Sequence, residues 1–240
     1  MTVVKDAQRK VIIVTGASQG IGAGLVQAFR DRGYCVIANS RSIQPSDDPN
    51  ILTVAGDISR PETAASIVEQ GLGRFGRIDT LVNNAGIFIS KPFTEYTDAD
   101  FTSVVATNLA GFFHITQAVI AQMLEQGAGH VVNMAASIAD HPNSKVPAVL
   151  ASLTKGGLSA ATKALALEYA SRGIRVNAVS PSATNTSMHA VETQAASVTL
   201  QPLGRMAEIS DVAGAVLYLE SAPFVTGEIL HVDGGQSAGQ

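Results

Sequence analysis

The sequence predicts an α/β fold, a doubly wound parallel sheet of about seven strands with helices on both faces. Three observations carry that expectation. Short β-branched runs alternate with longer amphipathic stretches from one end of the 240 residues to the other. Hydrophobic residues make up 46% of the chain and mean hydropathy is +0.21, enough for a large core. Trp is absent and aromatic content is 5%, so that core is built from Val, Ile, Leu and Ala, as buried parallel strands require.

The apolar runs place strands at 11–14, 35–39, 51–55, 79–82, 129–134, 174–179 and 228–232. Helical spacing covers 20–32, 61–74, 98–125, 148–172 and 208–220. In Asp57-Ile58-Ser59-Arg60-Pro61-Glu62, Pro61 sits just inside a helix start, and Glu62 favours the positive end of that helix's dipole. Strands alternating with helices imply right-handed crossovers and one parallel sheet. The polar stretch 41–50 is too short to divide domains, so residues 1–240 are expected to form one domain. An irregular stretch at about 182–203 interrupts the pattern before the last helix. In such sheets, long loops after strand ends cover ligands, so this stretch is expected to be a substrate lid.

Net charge is −4 without a Lys/Arg block, which argues against a nucleic-acid or anionic-membrane partner. Cys35, the single cysteine, reads as a small buried hydrophobe. The chain is polar up to Lys10, and no apolar run approaches about 20 residues. A soluble cytoplasmic protein is expected.

The first strand runs into Thr15-Gly16-Ala17-Ser18-Gln19-Gly20-Ile21-Gly22 and then a helix. Gly16 permits a tight turn, Gly20 lets backbone approach a pyrophosphate, and Gly22 lets helix pack on strand. A diphosphate would rest on the N–H groups at the helix start, which makes the turn a dinucleotide-binding candidate of Rossmann type.

The G-x-x-x-G-x-G spacing is accompanied by Asn83-Asn84-Ala85-Gly86, by Asn108, by Arg172-Gly173-Ile174-Arg175-Val176-Asn177 leading to Pro181, and by Val225-Thr226-Gly227 and Val232-Asp233-Gly234-Gly235. Together these segments resemble the short-chain dehydrogenase/reductase family over about residues 8–236. The resemblance implies that Asp57 and its neighbour Ile58 contact the adenine, that Asn84, Ala85 and Gly86 lie along the adenosine side, and that Thr186, after Pro181, reaches the nicotinamide carboxamide. Ser182 replaces the glycine usual in the family. The second strand ends Ala38-Asn39-Ser40-Arg41-Ser42 with no carboxylate to repel a 2′-phosphate. Arg41 can pair with that phosphate, assisted by Ser40 or Ser42, so NADP(H) is favoured over NAD(H). Gln19 is a counter-signal, because many NADP-using relatives carry a basic residue in the turn.

The resemblance also implies a Ser, Tyr, Lys and Asn constellation in which the tyrosine exchanges a proton with the substrate oxygen. An adjacent ammonium favours the phenolate, which makes a phenol useful near neutral pH. Lys155, followed by Gly156-Gly157-Leu158, takes the lysine position and Asn108 the asparagine position. Four residues before Lys155 stands Ala151. Four residues after Tyr34, Tyr96, Tyr169 and Tyr218 stand Ala38, Asp100, Gly173 and Ala222, so the chain has no Tyr-x-x-x-Lys. For the serine, Ser137-Ile138-Ala139-Asp140 fits best, with Ala136 as the alternative register. His141 is the leading substitute acid, with Lys155 acting directly or through a water as another. His114 and His130 look structural.

Two functions stay open. One is an oxidoreductase moving hydride between NADP(H) and an unidentified carbonyl or alcohol, with a non-standard proton donor. The other is an impaired or inactive NADP(H)-binding protein acting as a regulatory or structural subunit. Dehydration or isomerisation on the same scaffold is a smaller third class. The resemblance further implies a tetramer or dimer formed through the helices at 98–125 and 148–172. Phe88, His141, Asn143, Met188 and His189 are expected around the substrate.

Overall fold

Strands that are apolar along their whole length must be covered on both sides, and the chain supplies a helical layer for each side. The computed structural model describes residues 9–186, 198–199 and 201–238. The strands are β1 (Val11–Thr15), β2 (Cys35–Ser40), β3 (Ile51–Ala55), β4 (Thr80–Asn83), β5 (Gly129–Met134), β6 (Ile174–Pro181) and β7 (Ile229–Val232). They pair in parallel in the order β3-β2-β1-β4-β5-β6-β7. The order reverses between β1 and β4, which opens a crevice at their C-terminal ends.

Alternation along each strand divides the core in two. On one face Ile12, Val14, Val36, Val82 and Val132 meet Leu25 and Phe29 of α1 (Gly20–Asp31) and Val212, Val216 and Leu219 of α7 (Ile209–Ser221). On the other, Val11, Ile13, Ile37, Leu81, Val131 and Val176 meet three helices. These contribute Ile67 from α2 (Pro61–Phe75), Ile115, Val119 and Met123 from α4 (Gly111–Gln126), and Ala166 from α6 (Val149–Tyr169). Cys35 is a buried free thiol within this second cluster.

The helix expected over 98–125 is interrupted. It divides into α3 (Asp98–Val105), a π-helical turn at Ala106–Ala110, and α4. The turn carries Asn108, whose side chain satisfies both backbone groups of Ile87, a long-range contact that no local periodicity encodes. By length and composition alone Asp98–Gln126 is long and apolar enough to cross a membrane, with a mean hydropathy of 1.5. In the fold its buried face packs Ile115, Val119 and Met123 onto the sheet. A short helix absent from the periodicity, α5 (Ser137–Asp140), follows β5. Residues 187–197 of the expected lid, including Met188 and His189, lie outside the described residues.

At the end of the sheet opposite the crevice, one carboxylate gathers several strand starts. Glu220 of α7 accepts hydrogen bonds from Lys10 Nζ (3.0 Å), Tyr34 Oη (3.2 Å), Thr80 Oγ1 (2.9 Å) and His130 Nδ1 (2.8 Å). Burial opposes its charge, but the His130 hydrogen bond and the Lys10 charge outweigh that and hold its pKa at about 2. Burial pushes His130 down, so the ring is neutral, with Nδ1–H facing Glu220 and Nε2 accepting from Asn177 Nδ2 at 3.1 Å. Arg175 caps the C-terminal end of α7 through the carbonyls of Leu219 (2.9 Å) and Ala222 (3.1 Å). Glu220→Ala is expected to destabilise the protein by about 3 kcal/mol in urea unfolding, because buried donors lose their acceptor. A depressed carboxylate pKa contributes stability above its unfolded value near 4.5. That contribution is lost as pH falls from there toward about 2. The parent's melting temperature should therefore fall more steeply with acid than the variant's.

Candidate active site

The crevice holds a cavity of about 880 Å³, within the size range of small-molecule sites. Its floor begins at the glycine turn. Gly16 (φ 65°) and Gly20 (φ 54°) adopt left-handed backbone, and a Cβ on Gly16 would come within 2.9 Å of Ala85 Cα. A Cβ on Gly22 would overlap the Gly16 carbonyl oxygen. The turn is tied to the end of β4: Asn84 Nδ2 donates to the Thr15 carbonyl (2.9 Å), and Thr15 Oγ1 accepts from the N–H groups of Asn84 (3.0 Å) and Ala85 (3.0 Å). Thr15 is a positioning residue that sequence reasoning did not single out. Helix α1 opens on this turn with no side-chain cap from Gln19 and no acid in its first turn, so its N-terminal N–H groups and positive dipole end are open to an anion.

Ser18, Gln19, Gly20, Ile21 and Gly22 line the cavity, as do Ser40, Arg41, Asp57 and Ile58 beyond the ends of β2 and β3. Asp57 is held below the usual carboxylate range, first by the Ser59 backbone N–H (3.0 Å) and also by the nearby Arg41 charge. The hydroxyls of Ser40 and Ser182 are buried without a protein partner. Uncapped N–H groups, a glycine cradle and the orphaned Ser40 hydroxyl beside Arg41 fit a phosphate-bearing dinucleotide. On the other side Asn84, Ala85, Gly86, Pro181 and Thr186 complete the wall. Every residue expected at the nucleotide is thus brought to one cavity.

The reaction end is built on α6. Lys155 faces the cavity, and its Nζ donates to the Met134 carbonyl at 2.7 Å. A Cβ on Gly86 would lie 3.2 Å from that nitrogen and 3.4 Å from Asn108 Oδ1. Burial lowers the Lys155 pKa to about 8. Asn108, 1% exposed, accepts from Ile87 N–H (2.9 Å) and donates to the Ile87 carbonyl (3.0 Å) and to Thr154 Oγ1 (3.2 Å). It thereby fixes the loop after Gly86 against α6. Ala151 lines the cavity one turn before Lys155.

Two expected residues do not join this group. Ser137 is 1% exposed and donates to the Ser180 carbonyl at 3.1 Å, away from the cavity, whereas its neighbour Ala136 lines the wall. Ala136 is extended (φ −162°, ψ 137°), so adjacent side chains leave on opposite sides. The Ala136 register is therefore the one that faces the cavity. His141 is exposed and sits outside it, its ring 6.4 Å from that of His231, while His231 pairs with Asp140 at 3.1 Å. It cannot serve as the substitute acid from there. Phe88 and Asn143 line the cavity as expected, and Lys145, Ser90 and Gln201 join them without having been anticipated.

Residues 16–237 match the family described as enoyl-(acyl carrier protein) reductase. The chain is 35% identical to L-fucose dehydrogenase from Bos taurus, over 96% of this chain and 90% of that one. It is 32% identical to the 3-oxoacyl-[acyl-carrier-protein] reductase FabG of Vibrio cholerae, over 96% and 98%. It is a short-chain dehydrogenase/reductase. Among solved members of that family, ElxO with NADP bound superposes with a TM-score of 0.90 at 28% identity, over 96% of this chain and all of that one. The 3-ketoacyl-(acyl-carrier-protein) reductase of Brucella melitensis complexed with NADH superposes at 0.88 with 32% identity, over 95% and 98%. Nicotinamide binding thus runs through this part of the short-chain dehydrogenase/reductase family, with both nucleotides represented.

Proposed function

We propose that this protein is an NADP(H)-dependent oxidoreductase acting on a carbonyl or alcohol, with Lys155 as its proton source. The carrying observation is the reaction end itself. Lys155 is a cavity-facing amine with a pKa of about 8, and alanines stand at both 136 and 151. In this reading the glycine-turn N–H groups hold the diphosphate, while Arg41 and Ser40 hold the 2′-phosphate. Asp57 and Ile58 bound the adenine, and Thr186 the carboxamide. When bound, the nicotinamide supplies or accepts the hydride. Lys155 Nζ–H passes a proton to the substrate oxygen through a water in the space beside Ala151, and takes it back in the reverse direction. Asn108 keeps Gly86, Ile87 and α6 in register so that the amine stays aimed at that space.

Calorimetry should give NADPH affinity at least tenfold above NADH, and Arg41→Ala should remove most of that preference. With NADPH bound, a broad carbonyl panel should show slow steady oxidation of the nucleotide. Equal affinities that Arg41→Ala leaves alone would reject the 2′-phosphate assignment.

The two alanines also support a second reading, a nucleotide-binding subunit without turnover. Complete absence of turnover across the panel, with NADPH affinity intact, selects it. In either case we propose a homo-oligomer. Phe113 of α4 (54% exposed) and Leu153 and Leu167 of α6 (56% and 85%) leave apolar surface that a second copy would cover. Light scattering should return a multiple of the 24.8 kDa chain mass, and a monomer would refute it.

A further inference from the structure

We infer that Lys145 and Asn143 anchor a carboxylate on the substrate, so that the protein selects oxo acids and hydroxy acids over neutral carbonyl compounds. This rests on the nucleotide reading above only in taking the cavity end beyond Lys155 as the substrate end. Both residues line the cavity from the loop between α5 and α6. That loop follows β5, three strands from β2 and its Arg41, or about 14 Å across the sheet. Lys145 thus enters the cavity from a different strand end than Arg41.

The loop holds its shape by its own bonds. Lys145 N–H donates to Asn143 Oδ1 (2.8 Å), and Val146 N–H to the Asn143 carbonyl (3.0 Å). The Pro147 carbonyl accepts from Lys91 N–H (2.9 Å) and Ser90 Oγ (2.9 Å), which pins the loop to the segment after β4. Because Asn143 Oδ1 is engaged by a backbone donor, the amide's NH₂ is the end left for a ligand.

The chemistry offered there is one-sided. Lys145 Nζ has no acidic partner among the described residues, while its neighbouring cation Lys91 is committed to Asp100 at 2.6 Å. The one acid in the described cavity wall is Asp57, at the β3 end. Phe88, Ile138 and Val146 add apolar surface to the same cavity, and Ser90 a hydroxyl. An ammonium and an amide NH₂ donate and do not accept, so the group that satisfies both carries acceptors and a negative charge. One cation and two oxygens describe a carboxylate.

The test is calorimetry with straight-chain oxo acids, 4-oxopentanoate through 7-oxooctanoate, each against its primary amide. It is run on the protein with and without saturating NADPH. In the parent protein at least one acid should bind about fivefold tighter than its amide, since a charge-assisted bond is partly discounted at an exposed lysine. Lys145→Met should bring acid and amide to equal affinity, Lys145→Arg should keep the preference, and added KCl should shrink it. Equal binding in the parent, or a preference that survives in Lys145→Met, overturns the anchor. Loss of the NADPH signal would overturn the nucleotide reading alone, because the acid–amide comparison is made without nucleotide as well.

Discussion

Lys155→Met is expected to slow carbonyl reduction by about 10³-fold, the range of one positioned proton donor, while the folded protein gains stability. The two effects have one cause. Burial drives the amine from the ordinary lysine range to about 8, so below that pH the folded state bears the desolvation of an ammonium that the unfolded chain keeps in water. Between about 8 and 10.5 the unfolded chain binds more protons, and the parent's stability rises with pH. Methionine removes the charge and keeps the stem, so its unfolding free energy should exceed the parent's at pH 7 by an amount of order 1 kcal/mol, discounted because the amine faces the cavity. Rates should follow the same group. Reduction needs the protonated amine and falls about tenfold per pH unit above 8, whereas oxidation rises toward a plateau there. Unchanged turnover in Lys155→Met, with NADPH affinity intact, would remove the lysine from the chemistry.

The complementary experiment adds what is missing. The double variant Ala136→Ser/Ala151→Tyr is expected to raise the reduction rate by about 10²-fold or more with NADPH. Position 151 lies one helical turn before Lys155 on the same face of α6, which brings a phenol within about 6 Å of the ammonium. The ammonium would favour the phenolate and bring its titration toward neutrality. Ala136 already faces the cavity, so a hydroxyl there can orient the substrate oxygen. The variant's pH optimum should also differ from the parent's, because a different group now titrates. A well-folded variant that binds NADPH and gains nothing would mean that these two side chains do not limit the reaction.

The inner strands were legible from sequence because a strand buried on both faces is a largely apolar run, as VIIV at 11–14 shows, whereas the half-buried edge strands β3 and β7 showed through their β-branched residues. Asn108 and Lys155 were legible as well, each standing in a recognisable run. What escaped depends on direction in space. Ser137 was the better fit to the serine position, with Ala136 the alternative register, yet the extended backbone at 136 turns the serine toward Ser180. His141 stands four residues after that serine, but α5 ends there and leaves the ring at the surface beside His231. The π turn at 106–110 follows from a contact with Ile87, about twenty residues upstream. Lys145 belongs to no motif, and the loop that carries it to the cavity is tied down by long-range bonds to the Pro147 carbonyl.

The Glu220 carboxylate has a bearing on how the chain is made. Thr80 and His130 begin β4 and β5, and both are buried in the finished sheet, 0% and 3% exposed. Their acceptor lies 140 and 90 residues further along. During synthesis the first five strands leave the ribosome well before that acceptor does, and a sheet closed early would seal these donors away from water unpaired. Closing this end of the sheet with its donors paired therefore requires α7 in place, which ties the packing of the first five strands to the last helix of the chain.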